Sequence, residues 1–121
     1  MTFVTKKTGV AGEDIVSNFL LKNGYKILQK NFKTRFGEID LIAQKEDKIH
    51  FIEVKTRLSN VFAEPYESVN TKKINKIKSL ISYYVKMNNF NHNKFSIDVF
   101  YVIVDKNNKI KDMKIFENIT N

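Results

Sequence analysis

The sequence of 121 residues contains no cysteine, a single proline and only four glycines. Without cysteine the chain cannot form a disulfide, a thiolate metal site or a thiol nucleophile. The scarcity of proline and glycine argues against a flexible linker, and no internal repeat or low-complexity tract is present. We therefore expect one domain spanning residues 1–121, with 42% hydrophobic residues sufficient for an ordinary core.

Long apolar runs are missing as well. The first ten residues, MTFVTKKTGV, lack the apolar segment of a signal peptide, and no later run approaches the roughly 18 apolar residues of a membrane span. Together with the absence of cysteine, which suits a reducing compartment, this predicts a soluble cytoplasmic protein that does not enter a membrane.

Negative charge is the scarcer sign, and it is unevenly placed. The chain has 21 Lys and Arg against 13 Asp and Glu, which gives a net charge of +8 and a pI of about 9.6. Such a balance favours polyanionic partners, nucleic acid above all. Seven of the acids fall within residues 36–69, whereas residues 70–88 hold five lysines and no acid. The acidic middle segment therefore needs its own explanation.

Apolar periodicity predicts an α/β fold with the order αβββαββ, a mixed sheet flanked by helices. Two helices are predicted, at about Thr8–Asn23 and Asn70–Asn88, the first ending before Gly24. Five strands are predicted: Tyr25–Phe32, Glu38–Gln44, Ile49–Lys55, Phe95–Val104 and Ile110–Phe116.

The stretch FGEIDLIAQKEDKIHFIEVKTR, residues 36–57, looks like a buried hairpin that nevertheless carries acids and bases. A turn at Glu46-Asp47 would set Leu41 against Ile52, and would then place Asp40 opposite Glu53 and Glu38 opposite Lys55. A three- or five-residue loop would instead turn Glu53 to the other side. Apolar pairing favours the first register.

Two carboxylates on one face of paired strands repel each other unless a cation lies between them. Mg²⁺ accepts hard oxygen ligands and keeps several waters, so Asp40 and Glu53 with a substrate phosphate could complete a site, and Mn²⁺ is a second option. Lys55, on the face of Glu53, could orient or acidify a water and stabilise transition-state charge. The alternative is an exposed ladder of ion pairs, of which Glu38 with Lys55 would be one.

A further acid and several bases complete the candidate set. Glu13 lies on the apolar side of the first helix and could serve either as a metal or water ligand or as a first-turn glutamate stabilised by the helix dipole. The charged residues of the second helix are all lysines, and backbone phosphates would neutralise them. Tyr83, on the same side of the helix, is a candidate base-stacking residue. The candidate nucleic-acid contacts are Arg35, Arg57, Lys72, Lys73 and Lys76.

Ordered motifs along nearly the whole chain resemble the bacterial YraN family. They are GED (12–14), GY (24–25), NF (31–32), GEIDLIA (37–43), FIEVKTR (51–57), Pro65 with Glu67 and Val69, and FSIDV (95–99). FAEP at residues 62–65 departs from the family's Phe-Gly before proline, so we expect the loop there to turn differently.

The resemblance implies a restriction-endonuclease-like fold, similar to archaeal Holliday-junction resolvases. It implies that Asp40, Glu53 and Lys55 match the Asp and Glu-x-Lys of that nuclease superfamily, and that Glu13 matches the helix-one glutamate of the resolvase-like branch. Glu38 belongs to the family's own GEID and has a supporting role at most.

The expected function is a Mg²⁺-dependent endonuclease on branched or junction DNA, working as a homodimer by analogy with the resolvases. The alternative is a nucleic-acid-binding module that cuts nothing and recruits DNA to a partner.

Overall fold

Two helices and five strands follow one another in the predicted order αβββαββ. We describe the chain from a computed structural model, over residues 6–59, 71–90 and 94–119. The helices are α1 (Lys6–Lys22) and α2 (Thr71–Asn88), and the strands are β1 (Lys26–Thr34), β2 (Gly37–Lys45), β3 (Lys48–Leu58), β4 (Lys94–Val104) and β5 (Ile110–Phe116). The loop around Pro65 lies outside the described residues. The predicted α/β class and the predicted mixed sheet are confirmed.

The sheet has the strand order β1-β2-β3-β4-β5. Strands β3 and β4 run parallel, with α2 between them in the chain, and every other neighbouring pair is antiparallel. Strand β3 continues to Leu58, three residues beyond the predicted end at Lys55, because its last residues pair with β4. Parallel pairing therefore extends the strand that carries the candidate site.

The two faces of the sheet are covered by different helices. On one face, Val16 and Leu20 of α1 pack against Leu41, Ile52 and Phe100. The other face is covered by α2, whose buried core residues are Ile77, Leu80 and Tyr84. Burying apolar side chains on both faces explains why β3 and β4 have nearly continuous apolar runs.

Helix α1 ends where glycine permits a left-handed backbone. Gly24 has φ +84°, and the Tyr25 amide donates a hydrogen bond to the Leu20 carbonyl at 2.9 Å, so the chain leaves the helix through a glycine cap. No helix within the described ranges is long and apolar enough to cross a membrane.

Candidate active site

The hairpin of β2 and β3 adopts the predicted register. Lys45 pairs with Lys48 across the two-residue turn, and pairing continues to Leu41 with Ile52. Glu46 takes φ +56°, which a two-residue turn between twisted strands requires. The three- and five-residue loop alternatives are therefore excluded.

Backbone pairing between β2 and β3 ends at Leu41 and Ile52, and beyond this point the side chain of Asp40 contacts β3. Its Oδ2 accepts a hydrogen bond from the Val54 backbone N–H at 2.8 Å. Asp40 and Glu53, which were predicted to face each other, are the next residues after the last pair of the ladder. Asp40 contacts the backbone of Val54 instead of lying directly opposite Glu53. This bond fixes the half-buried carboxylate at the end of the ladder.

Four carboxylates act on one another at this end of the sheet. Burial, then the charge of Glu53, raises the pKa of Asp40 to about 7, and the charges of Glu13 and Glu38 add to this shift against the lowering effect of the Val54 N–H. Asp40 therefore holds its proton to a much higher pH than an ordinary aspartate. Residues from α1, β2 and β3 converge, as the sequence predicted for Glu13, Asp40 and Glu53.

Two lysines compete for one oxygen of Glu53. Lys73 Nζ lies 2.9 Å and Lys55 Nζ 3.4 Å from Glu53 Oε1, and all three side chains are largely withdrawn from solvent. Burial, together with the neighbouring Lys73, lowers the pKa of Lys55. Burial acts the same way on Lys73, but its contacts with Lys55 and Glu53 outweigh this and raise its pKa. Lys55 is thus the lysine that gives up its proton more readily.

Glu13 reaches the cluster because α1 approaches β3 closely. A Cβ on Gly12 would lie 1.9 Å from Thr56 Oγ1, so a side chain there would push the helix away. Burial, followed by the charge of Glu38, raises the pKa of Glu13, while a hydrogen bond with the Asn31 side chain lowers it. Close packing of α1 on β3 at Gly12 therefore places the Glu13 carboxylate near the other acids at the ends of β2 and β3.

The predicted pairing of Glu38 with Lys55 is wrong. Glu38 is exposed and lies 3.7 Å from Lys33, whereas Lys55 pairs with Glu53. The strands stop pairing before these positions, so alternation along β2 no longer decides which residues meet. The ion-pair ladder that formed the alternative explanation of the hairpin is absent from these two described strands.

The predicted nucleic-acid contacts divide into two groups. Lys73 faces inward to Glu53, and Arg57 donates a hydrogen bond to the Thr56 carbonyl at 2.8 Å. Lys72 and Lys76 on α2 and Arg35 in the β1–β2 turn are exposed. Only the exposed group presents its charges freely to a large polyanion.

Asn31 is a site residue that the sequence reasoning missed. Its side chain hydrogen-bonds Glu13, and its backbone has φ +51°, a conformation that asparagine adopts more readily than most residues. The NF motif contains it, but nothing in the strand pattern indicates a left-handed residue within β1.

Asp98 and His50 form a separate buried network on the face of α1. His50 Nδ1 lies 2.6 Å from Asp98 Oδ2, the Ser96 hydroxyl donates to Asp98 Oδ1 at 2.5 Å, and the Asn118 amide donates to the same oxygen at 3.0 Å. Burial raises the pKa of Asp98, but these hydrogen bonds outweigh it and lower the pKa overall. Every oxygen of Asp98 has a partner, which indicates a structural role.

The donor set of the cluster suits a hard cation that keeps most of its water. Among the described residues, no three Asp, Glu or His side chains lie together closely enough to enclose an ion by themselves. Mg²⁺ requires only one or two carboxylates with water and phosphate oxygens, which Asp40 and Glu53 can supply. A cation would also relieve the repulsion that raises the pKa of Asp40.

Comparison with known proteins identifies relatives over most of the chain. The UPF0102 protein of Clostridioides difficile strain 630 is 46% identical over 97 residues, covering 80% of this chain and 85% of the relative. That of Clostridium novyi strain NT is 41% identical over 113 residues, covering 93% and 94%. 

A solved XisH family protein from Nostoc punctiforme matches 85% of this chain and 98% of its own, with 10% identity and a TM-score of 0.37, a likeness too weak to bear on activity. The model of "Uncharacterised protein family UPF0102" matches residues 12–104, and the chain belongs to this family, also known as YraN.

Proposed function

We propose that this protein is a metal-dependent endonuclease that hydrolyses phosphodiester bonds in DNA. The observation that carries the proposal is the convergence of half-buried Asp40 and Glu53 with Lys55, a lysine of lowered pKa, on a strongly basic chain. Perturbed carboxylate and lysine pKa values in one cluster are typical of active sites. The same three residues form the Asp and Glu-x-Lys pattern that the sequence resemblance assigns to catalysis.

Asp40 and Glu53 would hold Mg²⁺, or Mn²⁺ in its place. When bound, the ion supplies a Lewis acid that neutralises charge on the phosphate undergoing attack. Glu13 would bind the ion's water or the attacking water from the side of α1, and its hydrogen bond with Asn31 orients it for this role. Glu38 would support the cluster through its charge.

Lys55 is the proposed proton carrier. Burial and the neighbouring Lys73 lower its pKa and outweigh the opposing effect of Glu53, which lies 3.4 Å away, so Nζ can lose a proton more readily than an exposed lysine. In its neutral form it would take the proton of the attacking water as the new P–O bond forms. The bond to the leaving oxygen then breaks, and that oxygen would take a proton from solvent water. In its charged form it would stabilise negative charge developing on the phosphate.

The exposed bases of α2 and the β1–β2 turn would hold the DNA backbone. Lys72, Lys76 and Arg35 lie at the surface, and contacts to phosphates weaken as salt rises. Phosphate contacts carry no sequence information, so recognition would follow the shape of branched or junction DNA. A homodimer would match the symmetry of a junction, and size-exclusion chromatography with light scattering tests it.

A binding module that cuts nothing is the second candidate function. It accounts for the basic surface, but four acids beside a phosphate site would weaken binding by a pure binder through repulsion. The raised pKa of Asp40 reflects that repulsion and favours the enzyme.

Cleavage of labelled DNA tests the two candidates. A four-way junction, a flap, a single strand and a duplex are incubated with wild type and with Asp40→Asn, Glu53→Gln and Lys55→Ala, in Mg²⁺, Mn²⁺ or EDTA. We expect metal-dependent cleavage by wild type and a loss of at least about 100-fold in each variant, because each removes a group of the reaction centre. Asp47→Asn, exposed in the β2–β3 turn, is the matched control. Salt-sensitive binding without cleavage under either metal would support the binding module.

A further inference from the structure

A groove of about 1040 Å³ lies between the β1–β2 turn and α2, beside the proposed active site. The proposed function uses only two of its lining residues, Arg35 and Lys76, as phosphate contacts. Its apolar lining comes from the end of β1, from the turn, and from one stripe of α2. The lining residues used below are Phe32, Phe36, Lys76, Leu80, Tyr83 and Met87.

Large apolar side chains are exposed in this groove. Phe36 is 67%, Tyr83 56% and Met87 53% exposed, which places them among the most exposed large apolar residues described. The Tyr83 ring stacks on that of Phe32, with centroids 6.3 Å apart and planes at 30°. Clustered exposure of this kind marks a binding surface.

The rim of the groove is cationic. Lys33, Arg35 and Lys76 line it, and no acid is among its lining residues, although Glu38 lies 3.7 Å from Lys33. The Arg35 guanidinium lies 4.9 Å from the centroid of the Phe36 ring. Aromatic faces bordered by Lys and Arg are the combination that binds single-stranded nucleic acid, with bases stacking on the rings and phosphates contacting the cations. An apolar protein segment would leave this charge unmatched.

The groove connects to the proposed reaction centre through α2. Lys73 contacts Glu53, and Lys76 and Tyr83 follow on the same helix. At 1.5 Å per residue, Tyr83 lies about 15 Å along the axis from Lys73. That length corresponds to about four nucleotides at the rise of a stacked strand. A strand whose phosphate lies at the proposed reaction centre could therefore place nearby bases in the groove.

We propose that this groove binds unpaired bases of a DNA strand, and that Tyr83 and Phe36 are the stacking residues. The inference rests on the proposed nuclease function for its substrate class, because it selects DNA with a single-stranded segment next to the cut. Base-paired DNA keeps its bases in the stack and would use only the cationic rim.

Binding in EDTA isolates the groove from catalysis. The full chain is titrated into two dye-labelled strands of about twelve nucleotides and equal charge, one bearing bases and one abasic throughout, and anisotropy gives each affinity. We expect wild type to prefer the strand that bears bases. Tyr83→Ala and Phe36→Ala each weaken that binding by about 5- to 150-fold and leave abasic binding unchanged. Tyr83→Phe keeps the ring and the preference.

Two controls separate stacking from misfolding. Phe116→Ala removes a partly exposed ring at the opposite edge of the sheet and should change neither affinity. Tyr83→Leu keeps apolar bulk against Phe32 and should lose the preference although the helix content stays that of wild type. Equal wild-type affinity for the two strands, or a loss of both affinities together in folded Tyr83→Leu, overturns the proposal. Cleavage, measured separately, can fail while the base preference persists, so the two proposals are distinguishable.

Discussion

Replacing Asp40 with asparagine should stabilise the metal-free protein at neutral and alkaline pH. Asparagine keeps the size of the side chain and an oxygen that can accept the Val54 N–H bond, but it removes the charge. The charge is the unfavourable part, since burial and Glu53 raise the pKa of Asp40 to about 7. The change is therefore a test of electrostatics with little effect on packing.

The magnitude follows from proton linkage. Between the ordinary pKa of 3.8 and about 7, the folded chain holds the Asp40 proton whereas the unfolded chain has released it. The free energy of unfolding of wild type therefore falls as pH rises through this range. Each pKa unit is worth ~1.4 kcal/mol, so we expect the advantage of Asp40→Asn to be roughly 2 to 4 kcal/mol larger at pH 8 than at pH 4.

Urea denaturation across this pH range, in EDTA, measures the difference between the two proteins. Asp47→Asn is the control, because it makes the same change at an exposed aspartate in the turn, outside the carboxylate cluster. Adding Mg²⁺ should stabilise wild type but not Asp40→Asn, since a ligand of the folded state raises its stability. A variant less stable than wild type at pH 8 without metal would refute the repulsion argument.

Two further changes test the packing that supports the site, each by urea denaturation. Gly12→Ala should destabilise the fold by about 1–3 kcal/mol because the new Cβ meets Thr56, whereas Gly9→Ala, with nothing within 4 Å, should cost nothing or stabilise α1; equal effects would contradict the close approach of α1. Asp98→Ala leaves the buried side chains of His50 and Ser96 without their hydrogen-bond partner and should cost about 1–3 kcal/mol at neutral pH. Because hydrogen bonds lower the pKa of Asp98 despite its burial, this stabilisation is present above the ordinary carboxyl pKa and is lost as pH falls, so a pH-independent cost would argue against the network.

Local patterns predicted the parts of the fold that local interactions decide. The register of β2 and β3 followed from the apolar pairing of Leu41 with Ile52 and from the length of the turn, and both are properties of neighbouring sequence. The inward position of Glu13 followed from helical periodicity. Such features need only the spacing of side chains along one element.

Contacts between distant segments were beyond that reasoning. The ion pair of Lys73 with Glu53 depends on how α2 crosses the sheet, and spacing within α2 does not specify this. The divergence of β2 and β3 beyond Leu41 depends on the Val54 N–H taking Asp40 as its partner. The buried partner of Asp98 proved to be His50, which is 48 residues away and lies on a strand that β4 pairs with in parallel.

The electrostatic cost of the carboxylate cluster bears on whether the protein is an enzyme. A fold has no need of a half-buried aspartate whose pKa is about 7, and an uncharged residue at Asp40 would be more stable. Lys73 and Lys55 offset the charge of Glu53, yet neither lysine lowers the pKa of Asp40 enough to restore its ordinary value. The negative charges of Asp40 and Glu53 therefore still repel each other, and a cation bound between the two carboxylates would remove this repulsion. Sites that trade stability for chemistry have this property, which is why we favour the nuclease over the binding module.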